Sequence, residues 1–114
     1  MEKRIRNIEH ATVLALVDQV ACQPGQIVSK TLAQNSYYSL TLFAFDKGEE
    51  IGTHDSNGDA LVTILKGTAR VTINGTDFTL NTGESIIMPA KIPHSVFAPE
   101  RFKMQLLVLF PGKE

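Results

Sequence analysis

His54 and His94 are the residues in this chain whose type and position could do chemistry. A neutral imidazole offers one N–H donor and one lone pair, so it can anchor a polar group, shuttle a proton or ligate a metal. His54 follows the glycine-containing stretch Lys47-Gly48-Glu49-Glu50-Ile51-Gly52-Thr53, and His94 follows Pro89-Ala90-Lys91-Ile92-Pro93. Prolines on both sides of a turn stiffen it, so the side chain just after them is held in one place. The third histidine, His10, lies in a polar lead and reads as a solvated surface residue.

Other reactive types are less informative. Cys22 is the only cysteine, which rules out an intrachain disulfide. It reads as a buried or edge thiol rather than a nucleophile. Ser56 near His54 has no oriented acid and no oxyanion hole that the sequence can name. Lys66 and Lys91 read as turn residues, and Asp46, Glu49 and Glu50 as an acidic turn. Gly48 and Gly52 lack the lysine and helix start of a phosphate loop.

The elements that must position the histidines are strands. Pro24-Gly25, Gly48, Gly52, Gly58, Gly67, Gly75, Gly83, Pro89, Pro93 and Pro99 punctuate the chain at the short spacing of a sandwich or barrel. Between them lie Ser39–Phe45, Leu61–Leu65, Ala69–Ile73, Phe78–Leu80, Ser85–Met88, His94–Phe97 and Lys103–Phe110, all rich in strand formers. Asn74-Gly75 is a hairpin signal. Met104–Phe110 is nearly all apolar, the pattern of a strand covered on both faces. Glu9–Val20 carries the one helical hint, which leaves a short N-terminal helix or an added edge strand open. A mostly antiparallel domain must protect its edges, by closing into a barrel or by pairing with a second subunit.

Composition sets the outer bounds. The chain has 114 residues, 43% of them hydrophobic and 20% charged, which fits one globular domain over 1–114. Eleven basic against 12 acidic residues give a net charge of -1, with no basic stripe to invite nucleic acid or an anionic membrane. The start, MEKRIRNIEH, has no apolar core segment and does not read as a signal peptide. The stretch Thr12–Ala21 is too short and too interrupted to span a bilayer. A cytoplasmic protein is the expectation.

Gly48-x5-His54 … Gly67 and Gly83-x5-Pro89 … His94 together resemble the two motifs of the cupin family, as found in small single-domain members. The motif-bearing core runs over about 36–110. The resemblance implies an all-β double-stranded β-helix, or jelly-roll, commonly paired as a homodimer. It also implies a metal site of two histidines and a glutamate from the first motif and one histidine from the second. Here Ser56 stands at the second histidine, Ala60 at the glutamate, Lys91 at a glycine of the second motif and Ala98 at its late asparagine. Only His54 and His94 of the ligand set remain. Asp59, one residue before the lost glutamate, is the candidate third ligand if it lies in a loop, since a one-residue slip in a strand reverses the face. With it, the site would suit a divalent transition metal (iron, manganese, nickel or zinc).

The first functional expectation is therefore a barrel that binds a small molecule. His54 and His94 are its polar anchors, and Phe43, Phe45, Met88, Phe97 and Met104 are candidate lining. The second is a metal-dependent oxygenase or isomerase using His54, Asp59 and His94. The third is a dimeric sensing module without catalysis.

Overall fold

The computed structural model describes residues 3–112. Nine strands run in order among them: β1 (Ile27–Gln34), β2 (Tyr38–Phe45), β3 (Glu50–His54), β4 (Asp59–Lys66), β5 (Thr68–Ile73), β6 (Thr76–Asn81), β7 (Ser85–Met88), β8 (His94–Phe97) and β9 (Phe102–Leu109). The helical hint near the N-terminus reduces to a single 3-10 turn, Leu16–Asp18. Asn74 and Gly75 have φ of 49° and 83°, the paired positive values of the tight hairpin turn that joins β5 to β6.

The strands form two antiparallel sheets that pack face to face. One has the order β1-β2-β9-β4-β7, the other β3-β8-β5-β6. Alternation decides what each strand sends inward. From β4 come Ala60, Val62 and Ile64, from β9 Phe102, Met104 and Val108, and from the facing sheet Val71 and Val96, all in one buried cluster. Burial of each large side chain of this set contributes about 1.5–3 kcal/mol.

A second cluster lies on the outside of the five-stranded sheet. Val20, Leu32, Leu42 and Ala44 are buried there, with Ile8, Leu16, Cys22, Val28, Leu40 and Leu65 packed around them. The segment before β1 forms this cover. Arg6 N–H donates to Leu32 O at 2.7 Å, Asn7 Nδ2 to Thr31 O at 2.7 Å, and Lys103 Nζ to Val17 O at 2.8 Å.

The apolar run in β9 follows from this arrangement only in part. β9 is the middle strand of its sheet, and its inward residues are covered. Its outward face is not fully covered: Leu107 is half-buried and Leu109 is 56% exposed.

Candidate functional site

The two histidines sit on neighbouring strands of the smaller sheet. β3 pairs with β8 with Ile51 opposite Val96 and His54 opposite His94. That is a step of three residues on β3 against two on β8, so β3 carries a bulge at Gly52–Thr53. In a regular strand, residues three apart face opposite ways. The bulge cancels the mismatch, and Ile51 and His54 line the same cavity.

His94 is held by the Pro89–Pro93 loop, which is fastened to the β3–β4 connection. Lys91 N–H donates to Ser56 O at 2.6 Å and Ala90 N–H to Asp59 Oδ1 at 2.8 Å. Lys91, at the position where the resemblance implies glycine, adopts φ 66°. That is the left-handed region, disfavoured for a residue with a Cβ.

The rings meet edge to face, with centroids 4.4 Å apart and planes at 70°. Nε2 of His54 lies 3.2 Å from Nε2 of His94. Nδ1 of His54 is 2.9 Å from Gly52 O, and Nδ1 of His94 is 3.1 Å from Ile92 O. Carbonyl oxygens only accept, so each of these contacts takes the Nδ1–H of its ring. Two neutral imidazoles carry two N–H groups, and both are then committed. The Nε2 lone pairs are left facing one another.

A third proton would join them, but burial of the His94 ring opposes placing it there. His94 is 4% exposed, and loss of hydration pulls its pKa below the usual value. The Ile92 carbonyl pulls the other way, a charge on His54 adds to the lowering, and Asp55 acts against it. The net direction is down, so at neutral pH His94 carries no charge. With both rings neutral, the pair is an acceptor-only site that lacks one hydrogen.

These nitrogens open into a cavity of about 130 Å³. Met88 and Met104 line it. So do residues that the sequence reading missed: Ile51, Ala60, Val96, Leu106, Val108 and Phe110. The alternation from Met104 through Leu106 and Val108 to Phe110 was the available signal.

Three expectations need correction. Phe43 and Phe45 do not line the cavity. Both come from β2 and pack in the main core cluster, where the register pairs Phe43 with Met104 and Phe45 with Phe102. Phe45 is fully buried and stacks on Phe102 with centroids 4.5 Å apart, so it is core. Phe97 lies instead beneath the Arg70 guanidinium, 4.5 Å from its ring centre.

Asp59 is the third correction. It is the first residue of β4, exposed, while its neighbour Ala60 is buried and faces the cavity. Its carboxylate is taken up by the Ala90 N–H. Strand parity thus gives Asp59 a positioning role on the loop that carries His94, not a place beside the imidazoles. Ser56 lines the cavity, but its hydroxyl donates to Gly58 O at 3.0 Å. Among the described residues no group of three or more His, Cys, Asp or Glu side chains converges. The donor set present does not supply the third protein ligand that a firmly held divalent ion needs.

Residues 41–110 match the family model for the cupin domain. A search of curated proteins found no match. Among solved structures, a conserved protein of unknown function from Streptococcus pyogenes is 46% identical, with 98% of each chain covered and a TM-score of 0.96. A cupin superfamily protein from Desulfitobacterium hafniense is 29% identical over 95% of this chain and 99% of its own, with a TM-score of 0.90. A cupin 2 conserved barrel domain protein from Leptotrichia buccalis is 41% identical over 82% of this chain, which spans 46% of that longer protein, with a TM-score of 0.81. Likeness to a salicylate 1,2-dioxygenase from Pseudaminobacter salicylatoxidans, 18% identical with a TM-score of 0.66, shows the shared fold alone. No helix among the described residues is long and apolar enough to cross a membrane.

Proposed function

This chain belongs to the cupin family, and we propose that its barrel binds a small, largely apolar molecule that presents one hydrogen-bond donor to Nε2 of His54 and His94. The observation that carries this reading is the proton count at the two rings. Three contacts at hydrogen-bond distance each require an N–H, and two neutral imidazoles supply two. A ligand hydroxyl placed against the Nε2 atoms supplies the missing hydrogen and relieves the opposed lone pairs.

The size and character of the ligand follow from the walls. Apart from the histidines and Ser56, the lining is aliphatic, thioether or aromatic. A dry apolar cavity of roughly 150 Å³ accommodates a molecule the size of benzene. A cavity of about 130 Å³ therefore fits one ring or a short branched chain. Exposed His54 stands at the mouth and buried His94 inside it, so the polar end of the ligand lies near the opening.

The test uses phenol, anisole and toluene as probes, with binding followed by calorimetry and by amide shifts at Ile51, Val96 and Leu106. Phenol is expected to bind saturably and about tenfold more tightly than anisole, the worth of one hydrogen bond. In His94→Ala that difference disappears. Equal affinity of the wild-type protein for phenol and anisole, or shifts confined to residues outside the cavity, would overturn the reading.

A further inference from the structure

A second cavity, of about 450 Å³, shares no lining residue with the first. Its walls come from three places in the chain: Ala21 and Cys22 before β1, Lys66 and Gly67 at the β4–β5 turn, and Glu100 to Lys103 at the start of β9. Gly67 explains why the two turns meet. It has φ 92°, and a Cβ there would lie 2.5 Å from Arg101 O. Only glycine lets the turns approach this closely, and their approach gathers Lys66, Arg101 and Lys103 around one opening.

We propose that this cavity binds a small multivalent oxyanion, a phosphoryl or polycarboxylate group held by Lys66, Lys103 and Arg101. Three cationic side chains and one carboxylate, Glu100, line it. Lys66 and Lys103 are also direct cross-strand partners in the β4–β9 ladder. Like charges opposite one another cost stability unless something lies between them. Among the described residues no carboxylate pairs with either lysine. The Asp46 carboxylate is engaged by Arg101 at 2.7 Å, and Lys66 forms no ion pair among the described residues. Lys103 gives one of its three donors to Val17 O and keeps the others. An oxyanion accepts from both ammonium groups and from the remaining guanidinium N–H groups, and turns an opposed pair of charges into a clamp.

The experiment is calorimetric titration with inorganic phosphate and, separately, with citrate, at ionic strength held constant with chloride. It compares the intact chain with Lys66→Gln. Lys66 is exposed and unpaired among the described residues, so this variant keeps the fold. Saturable binding that Lys66→Gln weakens about tenfold, the loss of one charge-assisted hydrogen bond, supports the site. Phosphate alone identifies a phosphoryl ligand, citrate alone a carboxylate ligand, and both a general oxyanion site. The Cys22 thiol, half-buried on the cavity wall, gives a second readout: the bound anion slows its alkylation by iodoacetamide in the parent chain and not in Lys66→Gln. No saturable binding of either anion, or identical binding in Lys66→Gln, overturns the proposal. Neither result bears on phenol binding at the histidines.

Discussion

His54 and His94 meet Nε2 to Nε2 at 3.2 Å across forty residues of sequence, and they do so because β3 has one residue more than β8 between its two paired positions. Deletion of Thr53 would remove the bulge and place His54 two residues after Ile51, on the same face of a regular ladder. The expected outcome is a folded protein by circular dichroism that still distinguishes phenol from anisole. Lost discrimination would show that the bulge sets the ring's position beyond the choice of face.

The two histidines should differ in what they contribute to stability. His54 is exposed and His94 is 4% exposed. His54→Ala is expected to change unfolding free energy by no more than about 0.5 kcal/mol. His94→Ala leaves the Ile92 carbonyl without its donor and opens space in the wall, at a cost of about 1–3 kcal/mol. Urea denaturation of both variants measures the difference.

Lys91 holds a left-handed φ of 66° in the loop that carries His94. A side chain there costs roughly 1–2 kcal/mol, part of which glycine loses again through its greater freedom when unfolded. Lys91→Gly should therefore stabilise the protein by about 0.5–1 kcal/mol in urea denaturation. A destabilised variant would mean that the Lys91 side chain makes a contribution larger than the backbone strain.

Asp46 links three parts of the turn region. It accepts from Gly25 N–H and Lys47 N–H and pairs with Arg101. The Gly25 N–H first, then Arg101, bring its pKa from the usual 3.8 down to about 2. A lowered carboxylate pKa stabilises the fold above 3.8, and the contribution is lost as pH falls from 3.8 to about 2. Asp46→Ala should lower Tm at pH 7, with the gap closing over that acid range. Because its partner Arg101 is 54% exposed, added salt should shrink the gap as well. A pH-independent gap would point to turn geometry instead of charge.

The homodimer expected from the sequence has a surface to test. Register aligns Leu40, Leu107, Leu61 and Ile87 in one row across the outer face of β2, β9, β4 and β7. Leu61 and Leu107 are half-buried, and Ile87 is 58% exposed. If a second copy covers this row, Leu61→Glu should convert a dimer to a monomer by light scattering with size exclusion. A wild-type monomer at micromolar concentration would remove the expectation.

Much of the architecture was legible because turns announce themselves locally. Asn74-Gly75 needs positive φ at both positions, and the sequence supplies residues that tolerate it. The family motifs also mark His54 and His94 by residue type and spacing. What the sequence could not carry is register. Whether Phe45 lies beside the histidines or beyond them depends on its pairing with Phe102, a property of two strands far apart in the chain. The bulge at Gly52–Thr53 is equally silent, since it exists only relative to β8. Asp59 shows the opposite case: strand alternation alone argued against it as a ligand, and its carboxylate does go to the Ala90 N–H.

The strand order has a kinetic consequence. β9 stands between β2 and β4, so the larger sheet has no continuous ladder until residues 102–109 are available. During synthesis the β1–β2 hairpin and the β4–β7 pair must wait as separate fragments with apolar edges exposed. Long-range closure of this kind is slow. Loss of the final strand would not trim the barrel but would leave two unjoined halves prone to aggregate, and refolding should be governed by how fast β9 finds its slot.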